Sequence, residues 1–93
     1  MYDIMILAVF RSRAQSLDFA ERLKNYGIPS VTVSAPKEVK IGCGLCVKFE
    51  ERVFLRAQAI MKTGNYSSFK GFYKMEISGS RMQIFPYHRT FSS

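Results

Sequence analysis

The 93-residue sequence predicts an α+β domain in which two helices cover one face of a four-stranded antiparallel sheet. Three patterns predict this fold class. The continuous apolar run IMILAVF is typical of a central strand, two segments carry apolar residues at helical spacing, and residues 45–49 alternate apolar and polar positions. A composition that is 47% hydrophobic supports one compact core, so we expect a single domain over residues 1–76. Residues 77–93 fit no element well and are expected to be a mobile tail or an edge strand.

The first half of the chain predicts a strand, a helix and a second strand. The apolar run gives a strand over residues 3–10. Ser12 and Gln15 have the S-x-x-Q spacing of a capping box, which predicts a helix over residues 13–26. The expected apolar stripe of that helix consists of Ala14, Leu17, Ala20 and Leu23. A short second strand is predicted over residues 30–35.

The second half predicts a strand, a helix and a last strand. Alternation gives a third strand over residues 45–49, and two glutamates then mark the start of a helix over residues 51–62. Its expected apolar stripe consists of Val53, Ala57, Ile60 and Met61. The fourth strand spans residues 69–76, with a bulge or close backbone approach at Gly71. With right-handed crossovers, the order βαββαβ predicts the ferredoxin-like fold.

The composition limits the classes of function. Fourteen Lys and Arg against seven Asp and Glu give a net charge of +7, which favours an acidic partner, nucleic acid or an anionic membrane. The basic residues are spread along the chain, so a solvated surface accounts for much of this charge. No run approaches the length of a transmembrane helix, no signal peptide is recognisable, and two cysteines are too few for a disulfide scaffold. We therefore expect a cytoplasmic protein with reduced thiols that does not bind membranes.

Both cysteines lie in the segment Cys43-Gly44-Leu45-Cys46, and several chemistries use such a pair. A structural zinc needs four ligands, and one chain offers only these two thiols and a distant His88, so no metal site is expected within one chain. A metal bound jointly by the thiolates of two chains remains an open alternative. A disulfide is excluded if both cysteines are extended, because their Cα atoms would be about 10 Å apart, but a turn at the glycines would permit it.

The predicted topology indicates which cysteine is functional. The exit of the first strand, the start of the first helix and the connection carrying Cys43 should share one end of the sheet. Flanking glycines expose the Cys43 sulfur, and nearby basic residues and the helix amino end favour its thiolate. The candidate binding residues around it are Arg11, Ser12, Arg13, Lys37, Lys40, Gly42 and Gly44. Cys46 sits within a strand pattern, which favours a small buried hydrophobe, and otherwise it is the candidate resolving thiol.

The same residues resemble a known family. The chain is similar to the selenium/sulfur carrier protein-like family of small bacterial domains, over about residues 3–76. The resemblance rests on the F-x-S that ends at Ser12, the G-I-P that begins at Gly27, the P-x-x-V that begins at Pro36, and the C-G at Cys43. It implies that the Cys43 thiolate takes a sulfane sulfur or selenium from a donor protein and passes it to an acceptor, without a catalytic base or cofactor.

Two other classes of function compete with the carrier. An RNA-recognition domain shares the βαββαβ order, but its third-strand aromatic positions would fall here on Cys43, Leu45 and Lys48, so Phe72 and Tyr87 would have to compensate. Nucleic acid is therefore not the expected partner. The other class is a regulatory or assembly module that can pair with a second copy of itself. Its interface residues would be Phe72, Phe85 and Tyr87. No constellation typical of a conventional enzyme is present.

Overall fold

The computed structural model describes residues 2–37, 39 and 44–87 of the chain. Within them the fold contains two α-helices and five strands. In chain order the elements are β1 (Tyr2–Phe10), α1 (Arg13–Asn25), β2 (Val31–Ser34), β3 (Leu45–Glu50), α2 (Phe54–Thr63), β4 (Phe69–Ser78) and β5 (Arg81–Pro86). A short 3₁₀ turn, Glu51–Val53, leads from β3 into α2. No helix in the described ranges is long and apolar enough to cross a membrane.

The strands form one sheet in the order β2-β3-β1-β4-β5, and every neighbouring pair is antiparallel. The prediction of four strands was therefore wrong, because β5 adds an edge strand to β4. Most of β5 is exposed on both faces, so it lacks the apolar alternation that burial imposes on a strand and that would have revealed it in the sequence. The register of β1 with β4 shifts next to Gly71, which agrees with the bulge predicted there.

The central strand β1 divides the core into two layers. Ile6, Ala8 and Phe10 face both helices, and all three are fully buried. Leu7 and Val9 face the other side of the sheet, where they pack in a second, smaller apolar cluster. Because successive side chains of a strand point to opposite faces, a strand buried on both faces reads as a continuous apolar run.

The start of α1 is tied to the residues that precede β4. Ser12 caps the helix by accepting a hydrogen bond from the Gln15 amide at 3.2 Å. The predicted capping box is only half formed, because the Ser12 amide donates to Ser68 Oγ at 3.1 Å instead of to the Gln15 side chain. The Ser68 hydroxyl in turn donates to Gln15 Oε1 at 2.6 Å. The cap thus joins α1 to a segment distant in sequence.

The end of α1 is a glycine-dependent turn. The Gly27 amide donates to the Lys24 carbonyl at 3.0 Å, and the Ile28 amide donates to the Leu23 carbonyl at 2.9 Å. These two bonds are those of a Schellman motif, in which the residue after the cap is left-handed. Gly27 has φ +72° and meets that requirement. Ile28 also packs in the same apolar cluster as Leu23.

The face of α1 that packs on the sheet differs from the predicted stripe. Ser16, Phe19 and Leu23 are the buried residues of this helix. Leu17 is 46% exposed and Ala14 is also exposed, so their places in the predicted core stripe were wrong. The predicted stripe of α2 and its leading turn is confirmed, since all four residues are buried: Val53, Ala57, Ile60 and Met61.

A polar cluster joins α1 to the end of α2. The Arg22 guanidinium donates to Thr63 Oγ1 at 2.9 Å and lies 6.0 Å from the centre of the Tyr66 ring. The Tyr66 hydroxyl donates to Asp18 at 2.6 Å. Burial, and next the bond to this carboxylate, raise the pKa of the Tyr66 phenol. The cluster therefore joins α1 to the end of α2 and to the segment that follows it.

Candidate functional site

The β2–β3 connection, which carries the predicted thiol, begins and ends at one end of the sheet. Ser34 pairs with Leu45, and the Ala35 amide donates to the Gly44 carbonyl at 2.8 Å. The Ser16 hydroxyl of α1 donates to the Leu45 carbonyl at 3.2 Å. The first turns of α1 thus contact the point at which the connection enters β3. Of the predicted site residues, Lys40, Gly42 and Cys43 lie outside the described residues.

Three of the predicted basic residues are described, and they lie at this end of the sheet and are exposed. Arg11 follows the last residue of β1, and its amide donates to the Ser68 carbonyl at 2.9 Å. Arg13 begins α1, and Lys37 follows β2. All three side chains are exposed to solvent. The Ser12 hydroxyl caps α1, and its amide donates to Ser68 Oγ.

Gly44 has a backbone conformation that explains the glycine after Cys43. Its φ is +80°, in the left-handed region that side chains disfavour. Among the described residues, no heavy atom lies within 4 Å of the position that a Cβ would take, so the requirement seen there comes from the backbone and not from crowding. The Gly44 carbonyl accepts the bond from Ala35 that closes the strand pair. The glycine therefore sets the direction in which the connection enters β3.

Cys46 is fully buried on the face of the sheet that the helices do not cover. It pairs with Val9 on one side and Val33 on the other, and its exposed fraction is 0%. It packs in a cluster with Leu7, Val9 and Met75, which Val39 joins from the β2–β3 connection. Val39 thus covers part of this face of the sheet. Burial blocks access to the sulfur, so Cys46 is not an accessible thiol in this conformation.

The aromatic residues proposed for RNA stacking or for an interface lie elsewhere. Phe72 is buried beneath α2, with its ring centre 4.8 Å from that of Phe54. Tyr87 packs edge-on against Phe54 at 4.8 Å and donates to Glu51 at 2.8 Å. Phe85 is 41% exposed on the edge strand. The hypothesis that Phe72 and Tyr87 serve a partner on an open sheet face was therefore wrong, because both pack on the helix-covered face.

Two residues important to this site were not predicted from the sequence. Ser16 is a fully buried polar residue of α1, and Val39 is a buried residue of the connection that packs in the same cluster as Cys46. The sequence does hold a signal for Ser16, because it lies three and seven residues before Phe19 and Leu23 on one helix face. A hydroxyl at such a position requires a backbone acceptor, which the Leu45 carbonyl supplies.

Fold and site together define a small α+β domain in which a cysteine-bearing connection is fixed against the start of the first helix. The chain matches the family described as "Putative Se/S carrier protein-like" over residues 5–74. This match covers most of the chain, and the chain belongs to that family. It includes the cysteine pair and both helices. No curated protein and no solved structure matches the chain.

Proposed function

We propose that the chain is a cytoplasmic carrier that holds a sulfane sulfur or selenium atom on Cys43 and passes it between two partner proteins. The Cys43 thiolate attacks the outer sulfur of a donor persulfide, a new S–S bond forms, the donor's S–S bond breaks, and the donor leaves as a thiolate. The same exchange with a donor perselenide loads selenium. An acceptor thiolate then attacks this outer atom, and Cys43 leaves as a thiolate. No net oxidation or reduction occurs.

Family membership is the observation that carries this proposal. The burial of Cys46 supports the choice of Cys43, because the chain has two cysteines and a carrier thiol must reach its partners. The exposed side chains of Arg11, Arg13 and Lys37 support it further. Their positive charge at this end of the sheet favours a thiolate and an acidic docking partner.

Loading from a persulfide tests the proposal directly. The reduced protein is incubated with a low-molecular-weight persulfide, and intact and peptide mass spectrometry locate the added sulfur. We expect one added sulfur on Cys43. The Cys43→Ser variant should take up none, whereas the matched Cys46→Ser variant should load as the wild type does. If serine at the buried position prevents folding, Cys46→Ala replaces it, because a smaller apolar residue suits that cluster better.

Transfer requires a second measurement. Loaded protein, separated from the donor, is mixed with an acceptor thiol, and the loss of the added mass is followed in time. Loss of the outer atom to the acceptor supports a carrier. A stable adduct, or loading on Cys46 instead, contradicts the proposal.

We also propose that β1 to β4 and the two helices form a ferredoxin-like unit, to which β5 is added as an edge strand.

A further inference from the structure

A second apolar stripe of α1 is not used by the core of one chain. Leu17 is 46% exposed and lies three residues before Ala20 on the same side of the helix. Both line a groove of about 830 Å³ between α1 and β2, whose other wall includes Ile28, Val31 and Thr32. An apolar groove beside an exposed helix stripe is typical of a surface that a partner covers.

The groove runs beside the free edge of the sheet formed by β2. The Ala35 amide donates to the Gly44 carbonyl, so Val33 and Val31, two and four residues earlier, also direct their backbone groups toward β3. The amide and carbonyl of Thr32 and Ser34 therefore point away from the sheet, toward the position of an added strand. Such unpaired groups are a template for another strand.

The two edges of the sheet differ in how they resist such pairing. The outer strand β5 begins with Arg81 and ends with Pro86, and charge and proline both discourage an added strand. The strand β2 contains neither, since its sequence is VTVS. The edge that lacks these features is the one that borders the apolar groove.

The charges on the rim of the groove indicate which partner fits. Glu21 and Lys24 both line the groove and lie three residues apart on α1. Neither forms an ion pair with another described residue.

A two-fold axis normal to the sheet keeps both helix layers on one side and brings the two α1 helices together antiparallel. Such an interface uses the same patch twice, so Glu21 of each copy meets Lys24 of the other.

We propose that a second copy of this chain docks here, with β2 paired antiparallel to β2 of the other copy about an axis near Thr32. The two sheets then continue into one, and the exposed stripes of the two α1 helices pack against each other. The groove is apolar at its centre and carries opposite charges on its rim, as the interface of a homodimer requires. This inference stands apart from the carrier chemistry, because it does not involve Cys43.

Sedimentation equilibrium on the reduced full chain at about 0.15 M salt tests the interface by charge reversal. Glu21→Lys places like charges at both symmetric contacts, and so does Lys24→Glu. Each should raise the dimer Kd by about tenfold, because two rim pairs change from attractive to repulsive. The double variant restores both pairs and should return the Kd to near the wild-type value. Asp3→Lys and Lys62→Glu make the same changes in net charge away from the groove, and should leave the Kd within about threefold.

Amide hydrogen exchange followed by NMR tests the strand pairing. The amides of Thr32 and Ser34 should exchange slowly in concentrated samples and quickly on dilution. Those of Val31 and Val33, which donate toward β3, should stay protected at both concentrations. A chain that is monomeric at about 1 mM overturns the proposal, since even a weak specific dimer forms at that concentration. A dimer that is indifferent to the charge reversals, or in which Thr32 and Ser34 exchange quickly, also overturns it.

Discussion

The buried hydroxyl of Ser16 donates a hydrogen bond to the carbonyl of Leu45 at 3.2 Å, and this contact joins the first helix to the residue at which the cysteine-bearing connection enters β3. The contact bridges 29 positions in sequence. It restrains the end of the connection from the side of the helix. The connection is restrained from the strand side by the bond between Ala35 and Gly44.

Removal of this hydroxyl should destabilise the protein. For Ser16→Ala we expect the free energy of unfolding to fall by about 1 kcal/mol, because a buried hydrogen bond is lost and alanine's better helix propensity offsets only part of the loss. Urea denaturation followed by circular dichroism measures it. Ser80→Ala, in the exposed turn between β4 and β5, is the control and should change stability by less than about 0.5 kcal/mol. Equal stability of the two variants would show that the contact contributes nothing.

The packing of Val39 over Cys46 should control access to that thiol. In a Cys43→Ser background, Cys46 is the remaining thiol, and Val39→Ala should raise its alkylation rate by about tenfold. Loss of two buried methyl groups costs about 1–2 kcal/mol, and we expect the free energy of the local opening that exposes Cys46 to fall by that amount. The rate is measured by mass spectrometry on dilute samples. Val31→Ala, on the same sheet face but 53% exposed, should leave the rate unchanged. A similar increase in both variants would contradict a specific role for Val39.

The left-handed backbone of Gly44 should make this position sensitive to substitution. Gly44→Ala is expected to lower the free energy of unfolding by about 1–2 kcal/mol, because a Cβ disfavours φ +80° although no described neighbour obstructs it. Gly44→Asn is the matched variant, since asparagine tolerates this conformation better, and it should cost less than alanine. Thermal and urea denaturation measure both. An alanine variant as stable as the asparagine variant would argue against a backbone requirement.

The Tyr66 phenol should make stability depend on pH in the alkaline range. Its pKa is raised in the folded state, first by burial and then by the bond to Asp18, so the unfolded chain loses this proton more readily. The corresponding stability is fully present below the unfolded pKa of about 10 and is lost as the pH rises through the folded pKa. The difference in unfolding free energy between wild type and Tyr66→Phe should therefore shrink above about pH 10. Below that pH it should be at most about 1 kcal/mol, because the pair is partly exposed to solvent.

Urea denaturation at several pH values between about 8 and 11 measures this difference. Asp18→Asn is the companion variant, because it removes the accepting carboxylate and should bring the pKa of Tyr66 closer to its ordinary value. Spectroscopic titration of the phenols reports that shift separately from stability. A difference between wild type and Tyr66→Phe that stays constant up to pH 11 would contradict a raised pKa in the folded state.

Much of the fold could be predicted from local patterns. The apolar run of β1 follows from burial on both faces of the sheet, and the stripe of α2 follows from burial of one helix side. The alternation of β3 identified a strand, although Cys46 is also buried, on the other face. The serine cap and glycine end of α1 could be located because each satisfies backbone groups within a few residues. The family could also be identified, because the F-x-S, G-I-P and C-G segments are short and local.

Other features depended on contacts between distant segments. The buried face of α1 was misjudged at Leu17, since an apolar residue looks the same in sequence whether it meets the core or a groove. The strand β5 was predicted only as an alternative to a mobile tail, because it pairs only with β4 and buries little. The packing of Val39 over Cys46 was not predictable, because the path of a connection depends on the surface it meets.

The sequence by itself therefore determined the two helices and the first four strands, their order, the family, and the residue types available for thiol chemistry. These features rest on periodicity and on hydrogen bonds within a few residues, which a chain specifies locally. Only the tertiary structure decided which face each element buries, that Cys46 is enclosed, and that Ser16 meets Leu45. Each of these depends on residues distant along the chain, whose contact is fixed by the joint packing of the sheet and both helices.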